Sequence, residues 1–238
     1  MHLIGATIQS DRFPESAVYP FNLPVLKGNP AVAFTTPITF FLGENGSGKS
    51  TLLRALARAC GVHVWNESYR ARAHFNPHED ELHRYLDVAW NAGPKPGALF
   101  SSETYQHLTL LIDEWASTDP KLLDYFGGKS LVEQSHGESF MAYYRSRYSI
   151  EGIYFLDEPE TALSPRRQIL FLSLLREMAA KGHAQFIIAT HSPILLSCAG
   201  ARLLSFDGPA IREIKYEETD YYRVYRDFLN NHQVPEAT

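Results

Sequence analysis

The chain has 238 residues, of which 45% are apolar and 21% are charged, and its formal net charge is −5. This length and composition predict one α/β domain over residues 1–238 with a sizeable buried core. A mildly acidic chain has no overall positive field, which excludes a protein drawn by net charge to nucleic acid or to an anionic membrane. The two cysteines, Cys60 and Cys198, lie in apolar helical contexts and favour a reducing compartment.

The sequence carries no sign of secretion or of a membrane span. Its first residues lack the basic segment and the long apolar stretch of a signal peptide. Apolar runs such as residues 169–175 are much shorter than the roughly 18 residues that a membrane-spanning helix needs. We therefore expect a cytoplasmic protein that is not itself transmembrane.

The N-terminal half begins with strands and then becomes irregular. Strands are predicted at 2–9 and 31–42, and the second ends in the apolar run 38–42, after which an apolar-faced helix begins. Residues 61–130 are rich in Pro, Gly, His and aromatic residues. We expect a mostly helical insertion over about 61–149. The elements predicted within it are helices at 78–90 and 103–116 and a loop at 91–97.

The C-terminal half alternates regularly between strands and helices. Ser164 is the predicted N-cap of a helix with Pro165 in its first turn and Gly182 beyond its end. The other predicted elements are strands at 153–157, 185–190 and 202–206, a short helix at 193–198 and an amphipathic, aromatic helix near 219–231. Strands separated by helices form mainly parallel sheets, so we expect a ligand site at the carboxyl edge of such a sheet.

A glycine-rich segment follows the second predicted strand. Residues 43–50 read GENGSGKS and match the phosphate-loop pattern GxxxxGK[ST] in full. Backbone N–H groups of such a loop surround phosphate oxygens, Lys49 reaches the β- and γ-phosphates, and the Ser50 hydroxyl binds Mg²⁺. ATP and Mg²⁺ are therefore the predicted cofactors. The residues expected to bind the nucleotide here are Asn45, Gly46, Ser47, Gly48, Lys49, Ser50 and Thr51.

Two further motifs lie at the ends of apolar strands. Asp157 and Glu158 follow the run Ile153–Leu156, and the pair predicts a metal ligand followed by a group that orients or deprotonates the attacking water. His191 follows the next apolar strand, 34 residues after Asp157, and emerges at the same edge of the sheet. A contact between His191 and the γ-phosphate is therefore favoured over a purely structural histidine.

A fourth motif lies before these acids. Residues 135–139 read SHGES and precede a helix containing Phe140, Tyr143 and Tyr144. A helix that starts with small residues offers free N–H groups to an anion. Taken alone, this segment indicates no more than a helix cap.

The four motifs in this order resemble those of the ATP-binding-cassette (ABC) ATPases. Ser135 matches the serine of the family's signature sequence, commonly Leu-Ser-Gly-Gly-Gln, and Gly137 matches a signature glycine. His136 and Glu138 depart from the usual glycines. The stretch 157–163 resembles the family's Asp-Glu-Pro-Thr-Ser-Ala-Leu, and His191 matches its switch histidine.

The resemblance implies both fold and mechanism. It implies a P-loop NTPase with a mainly parallel central sheet, an N-terminal β portion and an inserted helical subdomain. It also implies an ATP-dependent homodimer in which Ser135, Gly137 and Glu138 of one copy face the nucleotide bound by the other. Lys49, Glu158 and His191 are then the expected catalytic residues of an ATP hydrolase.

A narrower resemblance links the chain to small soluble bacterial ATPases of the AAA-labelled group. The segments GENGSGKSTLL, EQSHGESF, LDEPETALSP and IIATHSP carry this similarity. It places the sequence nearer to DNA-repair and chromosome-structure ABC ATPases than to transporters. Lys49 and Ser135 are only 86 residues apart, without sustained heptads, so we expect no long coiled-coil arm.

Two assignments stay open at this point. The family's glutamine loop, which senses the metal and the attacking water, corresponds to Glu103 or to Gln106, and Glu103 is preferred as a further metal ligand because it follows an apolar run. The aromatic residue that stacks on adenine has three candidates, each of which also suits the core. They are Phe13, Tyr19 and Phe21.

Three functions are compatible with the motifs. The first is a soluble ATPase whose dimerisation on ATP drives an unidentified soluble or DNA-associated partner. The second is the nucleotide-binding subunit of a membrane transporter, which the imperfect signature disfavours. The third is an ATP-gated module with little turnover in DNA maintenance or phage defence. Glu158 and His191 argue against the third function, because the chain keeps both groups that ATP hydrolysis needs.

Overall fold

The computed structural model describes residues 1–28, 30–64, 76–126, 128–130 and 136–231. The strands are β1 (Leu3–Ile8), β2 (Ala31–Ala33), β3 (Ile38–Leu42), β4 (Leu86–Trp90), β5 (Gly97–Ser101), β6 (Gly152–Asp157), β7 (Ala184–Ala189), β8 (Arg202–Ser205) and β9 (Arg212–Glu213). The α-helices are α1 (Lys49–Ala59), α2 (Ser102–Thr118), α3 (His136–Arg147), α4 (Pro165–Ala180), α5 (Pro193–Leu196) and α6 (Asp220–Asn231).

The central sheet has the strand order β5-β6-β7-β3-β8-β9. Its strands are parallel except at the edge, where β9 runs antiparallel to β8. Every residue of β3, β6 and β7 is buried. Helices therefore cover both faces of the sheet, as uniformly apolar parallel strands require. This is the mainly parallel α/β fold expected from the sequence.

A second, antiparallel sheet has the order β2-β1-β4. It packs over α1, and one apolar cluster joins Leu3 and Ile8 of β1, Leu52 and Leu56 of α1, and Ile153 of β6. On the opposite face of the central sheet, α3, α4 and α5 form a second cluster. The phosphate-loop helix is thus enclosed between the two sheets.

A buried glutamine joins the two sheets. Gln185 of β7 accepts hydrogen bonds from the backbone N–H groups of His2 and Leu3, each at 2.8 Å, and donates one to the Leu3 carbonyl at 2.8 Å. All three bonds lie in the interior, where an unpaired amide destabilises the fold by about 1–3 kcal/mol. Detachment of β1 would leave this side chain unpaired, so the antiparallel sheet and β7 hold each other in place.

Several sequence predictions are confirmed. Helices α2, α4, α5 and α6 and strands β6, β7 and β8 lie within a few residues of the predicted ranges. Ser164 occupies the N-cap of α4, with Pro165 in the first turn. Gly182 follows the end of this helix with φ of +77°, which is the left-handed conformation that glycine adopts most readily.

Three predictions are corrected. The strand predicted at 31–42 is two strands in different sheets, β2 and β3. The helix predicted at 78–90 is wrong, since residues 82–85 form a 3-10 turn and β4 follows it. Pairing with β1 outweighs the local helical pattern. The region 61–149, predicted as mostly helical, also supplies β4 to one sheet and β5 to the other.

Candidate active site

Three adjacent strands bring the predicted motifs together. In the central sheet β7 lies between β6 and β3, and all three run parallel. The phosphate loop follows β3, Asp157 and Glu158 are at the end of β6, and His191 follows β7. The sequence prediction that these motifs share one edge of the sheet is therefore confirmed.

The phosphate loop uses glycines where its backbone requires them. Gly48, the residue before α1, has φ of 102°, a conformation that side chains disfavour. Gly43 has φ of 141°, and a Cβ atom placed there would lie 2.9 Å from Asp207 Oδ1 and 3.1 Å from Ser47 Oγ. The loop thus turns directly into α1, and the N-terminus of a helix stabilises an anion.

Lys49 is buried although it is charged. Its Nζ donates hydrogen bonds to the carbonyls of Gly43 at 2.6 Å and Glu44 at 2.8 Å. Burial lowers the pKa of this ammonium group, and the nearby carboxylates, with Glu158 foremost, oppose that shift. The carbonyls of the phosphate loop thus hold the charged end of Lys49 at the site, where it can contact a negatively charged ligand.

Ser50 and Asp157 join the phosphate loop directly to the acidic motif. The Ser50 hydroxyl donates to Asp157 Oδ1 at 2.7 Å, and Arg54 Nε lies 3.4 Å from Asp157 Oδ2. Burial raises the pKa of Asp157, because the charged form loses its water. A hydroxyl and a buried carboxylate are hard oxygen donors of the kind Mg²⁺ prefers, so this pair fits that ion.

A wider metal cluster is not needed for that fit. The described residues include no group of three or more His, Cys, Asp or Glu side chains arranged to hold a metal ion. Mg²⁺ takes one or two protein ligands and completes its shell with phosphate oxygens and water. The Ser50–Asp157 pair matches this requirement.

Glu158 has an unusual backbone. Its φ of 48° and ψ of 54° lie in the left-handed region, and it is the one non-glycine residue with positive φ among those described. Its N–H donates to the Ala189 carbonyl at 2.9 Å, which ties the end of β6 to β7. This conformation leaves the carboxylate partly exposed, with Oε1 3.5 Å from His191 Nε2. Strained conformations of this kind concentrate at functional sites.

Two hydrogen-bond contacts hold His191, one at its backbone and one at its ring. Its N–H donates to Glu160 Oε1 at 2.7 Å, and its Nδ1 lies 2.7 Å from the Tyr221 hydroxyl. That hydroxyl donates to the Gly43 carbonyl at 2.9 Å. Burial lowers the pKa of His191 and Lys49 lowers it further, so the neutral imidazole is favoured near pH 7.

Sequence reasoning missed three residues of this site. Glu160 holds the backbone of His191, Asp207 accepts the Glu44 N–H at 2.7 Å, and Tyr221 joins His191 to the phosphate loop. The sequence offered a signal only for Glu160, which lies in the acidic stretch 157–160. Tyr221 carries none, because it is 178 residues from Gly43 along the chain.

The contacts that the structure describes at this site include none from the signature motif or from the glutamine-loop candidates. Ser135 is outside the described residues, and α3 begins at His136, so Gly137 is in its first turn. Glu138 Oε1 is 3.5 Å from Arg167 Nη2 of α4. Glu103 and Gln106 lie in α2, and their side chains are outside the described part. Glu103 is nearer the site along the chain, because Ser101 pairs directly with Asp157.

The structure separates the three aromatic candidates for adenine stacking. Phe21 is fully buried, and its ring centroid is 4.7 Å from that of Phe13, so this pair belongs to the core. Tyr19 is 40% exposed, and its hydroxyl lies 2.9 Å from Thr51 Oγ1 at the start of α1. Tyr19 is therefore the candidate that borders the phosphate loop.

Comparison with known proteins identifies the family. The cytochrome c biogenesis ATP-binding export protein CcmA of Paramagnetospirillum magneticum is 30% identical over 193 residues, which are 72% of this chain and 82% of that protein. The chain belongs to the ATP-binding-cassette ATPases. Family models described as "AAA domain, putative AbiEii toxin, Type IV TA system" and "AAA domain" match residues 138–197 and 23–86 of this ABC ATPase.

Other relatives are consistent with an ABC ATPase. The tungstate uptake system ATP-binding protein TupC of Campylobacter jejuni is 28% identical over 85% of this chain, and the match spans 62% of the length of TupC. The structure of cbiO1 from Clostridium perfringens, part of the ABC transporter complex cbiONQ, has a TM-score of 0.56 and 17% identity, covering 98% of this chain and 97% of cbiO1.

An SMC head domain shares the fold as well. The SMC head domain from Thermotoga maritima has a TM-score of 0.52 and 16% identity, covering 90% of this chain and 99% of that domain. At such identities the likeness concerns the fold alone. Within the described part of the chain, no helix combines the length and the apolar character needed to span a membrane.

Proposed function

We propose that this ABC ATPase hydrolyses ATP to ADP and phosphate between two associated copies, using the phosphate-loop edge of the central sheet. One observation carries the proposal. Ser50 lies 2.7 Å from Asp157, and Glu158, the next residue, lies 3.5 Å from His191. A phosphate-binding loop, a metal-binding pair and a water-activating carboxylate are the groups that phosphoryl transfer to water requires.

Each residue has a distinct role in this proposal. Loop N–H groups of residues 45–51 surround the phosphates, and Lys49 contacts the β- and γ-phosphates as a charge-assisted donor. Ser50 and Asp157 hold Mg²⁺, which when bound neutralises charge on the phosphates, and Glu103 is the proposed further ligand. Glu158 orients the attacking water and accepts its proton, and His191 contacts the γ-phosphate.

The second copy supplies the other side of the nucleotide. We assign this role to Ser135, Gly137 and Glu138 of the signature motif. Glu138 is exposed and pairs with Arg167 of the same chain, which joins the start of α3 to α4. The exposed Glu138 lies in the first turn of α3, and we assign to this helix N-terminus the contact with the phosphates bound by another copy.

The process coupled to hydrolysis has two candidates. The preferred one is a soluble or DNA-associated partner, since the signature departs from the usual sequence at His136 and Glu138. The second candidate is the nucleotide-binding subunit of a membrane transporter. It is favoured by the names of two relatives, the tungstate uptake ATP-binding protein and the cytochrome c biogenesis ATP-binding export protein. Co-purification of the Glu158→Gln protein with ATP distinguishes them, because a polytopic membrane protein would be captured only in the second case.

The Glu158→Gln protein tests the central proposal. Glutamine keeps the shape and the hydrogen bonding of glutamate and removes the basic oxygen, so turnover should fall by about 10²–10⁴-fold while ATP binding survives. Bound ATP should then accumulate in a dimer, measured by size-exclusion chromatography with light scattering in Mg-ATP.

Glu177→Gln is the matched control. Glu177 is exposed on α4 and pairs with Lys181 at 2.8 Å, far from the acids of β6. This variant should hydrolyse ATP at the wild-type rate and form no trapped dimer. Normal hydrolysis by the Glu158→Gln protein would refute the catalytic assignment. A monomer at saturating ATP would refute the two-copy site.

A further inference from the structure

Glu160 joins the two segments that carry the proposed water-activating glutamate and the switch histidine. It lies in the 3-10 turn Pro159–Ala162, which directly follows Glu158, and its Oε1 accepts the His191 N–H at 2.7 Å. Within the same turn the Thr161 N–H donates to the Glu158 carbonyl at 3.2 Å. One turn after β6 therefore begins at Glu158 and holds the backbone of His191, which follows β7.

The hydrogen bond between Glu160 and His191 is charge-assisted. Burial raises the pKa of Glu160, and the His191 N–H opposes this shift because it stabilises the charged form of the carboxylate. A hydrogen bond that a carboxylate accepts from a backbone N–H is about twice as strong as a bond between neutral groups. The contact therefore restrains the His191 backbone more firmly than a peptide carbonyl in the same place would.

Gln168 of α4 joins the same two segments at a second place. Its Oε1 accepts a hydrogen bond from the Ser192 hydroxyl at 2.6 Å, and its Nε2 donates to the Leu163 carbonyl at 2.9 Å. The loop after β7 thus has support that does not depend on the Glu160 carboxylate. Glu160 adds a restraint at His191 itself, so its removal should leave the fold of this loop intact.

We propose that Glu160 is a positioning residue, which fixes the backbone of His191 so that the imidazole lies beside Glu158 and contacts the γ-phosphate. Nε2 of His191 lies 3.5 Å from Oε1 of Glu158, and the turn that contains Glu160 links the two backbones. A displacement of about 1 Å at a catalytic group can lower a rate about 10²-fold. Glu160 acts through His191 and does not touch the substrate. This inference rests on the proposed function.

Glu160→Ala and Glu160→Gln test the proposal together. Alanine removes the acceptor, so kcat should fall roughly 10–100-fold, while KM for ATP should change little because the phosphate loop is intact. Glutamine keeps an oxygen that accepts the His191 N–H, so Glu160→Gln should recover most of the lost kcat. Equal losses in the two variants would show that the charge of Glu160 matters and not the hydrogen bond, which would refute the positioning role.

A double-mutant cycle shows whether Glu160 acts through His191. If it does, Glu160→Ala added to His191→Ala should lower kcat no further. Losses that multiply would give Glu160 a separate role and contradict the proposal. Glu151→Ala is the matched control. Glu151 is exposed just before β6 and pairs with Lys95 at 2.7 Å, so this variant should hydrolyse ATP at the wild-type rate.

Amide spectra test the contact without any hydrolysis. In protein labelled with ¹⁵N-histidine, the ten histidines give the backbone amide signals, and His191→Gln identifies the His191 signal by its loss. This amide should exchange slowly with solvent in the wild type and in Glu160→Gln, and faster in Glu160→Ala. Unchanged signals from the other histidines show that the variant is folded.

The spectra and the kinetics fail in different ways. A His191 amide that exchanges equally slowly in Glu160→Ala would overturn the proposal, because the backbone would then be held without Glu160. A wild type that hydrolyses no ATP would overturn the proposed function, and the His191 amide would still decide whether Glu160 holds this backbone.

Discussion

The phosphate-loop edge and the start of α3 differ in the exposure of the side chains that are proposed to meet the nucleotide. At the phosphate-loop edge, Lys49, Ser50 and His191 all have hydrogen-bond partners within the same chain, at 2.6–2.8 Å. At the start of α3, Glu138 is exposed and reaches Arg167 at 3.5 Å. The first region is preorganised within one copy. The second has an exposed glutamate in the first turn of a helix.

This difference predicts two kinds of variant. Changes at the phosphate-loop edge should alter binding or chemistry in each copy separately. Changes at the signature motif should leave the binding of ATP by an isolated copy intact. They should remove dimer formation and ATP hydrolysis, because both depend on the association of two copies. Three experiments test the distinction, and they differ in the size of the effect expected.

The largest effect is expected at the signature motif. Ser135→Arg places a bulky cation where the second copy is proposed to meet the phosphates, so turnover should fall by about 10²–10³-fold, the loss typical when one donor to a developing negative charge is removed. ATP affinity of the isolated copy should be unchanged, as measured by titration calorimetry. Ser149→Arg, an exposed position beyond the other end of α3, is the control and should be fully active.

Mixing two inactive variants makes this experiment decisive. In a mixed dimer of Ser135→Arg and Lys49→Ala chains, one site combines an intact phosphate loop with an intact signature motif. Hydrolysis should therefore reappear on mixing and should rise with the square of protein concentration at low concentration. Activity that stays absent after mixing, or a specific activity that is constant down to the monomer range, would mean that one copy forms the whole site.

An intermediate effect is expected at Lys49. Lys49→Ala removes a charge-assisted contact to the phosphates, which is worth about 1.5–3 kcal/mol, so ATP affinity should fall roughly 10- to 100-fold with the fold intact. Lys181→Ala, which removes an exposed lysine from the end of α4, is the matched control and should bind ATP normally. Wild-type affinity in Lys49→Ala would contradict the assignment of the phosphate loop.

The smallest effect is expected at Tyr19. Stacking of a base on an aromatic ring is worth about 1 kcal/mol at the low end, so Tyr19→Ala should weaken ATP binding roughly fivefold. Tyr19→Phe keeps the ring and should retain most of the affinity. Equal losses in the two variants would show that the hydroxyl, through its contact with Thr51, matters more than stacking.

Most of the phosphate-loop edge could be predicted from the sequence because its three motifs follow apolar runs. Lys49, Asp157 and His191 come after buried strands of a parallel sheet, and the carboxyl ends of such strands meet at one edge. The strand order itself, and hence which motifs are neighbours, was available only from the structure.

What sequence reasoning missed depends on contacts between distant segments. β4 forms because residues 86–90 pair with β1, and no local pattern distinguishes them from a helix. Tyr221 reaches the site because α6 packs beside the phosphate loop, and an amphipathic aromatic helix gives no indication of which tyrosine points inward. Partners that are far apart along the chain leave no periodic signal in either segment.

The left-handed backbone of Glu158 sets the stability of the fold against the proposed chemistry. A side chain in this conformation destabilises a fold by about 1 kcal/mol or more, and glycine or asparagine adopts it with less strain. Glu158→Gly and Glu158→Asn should therefore unfold at a higher denaturant concentration than the wild type while they lose the carboxylate. At this position the most stable chain and the chain that carries the proposed water-activating group are different proteins.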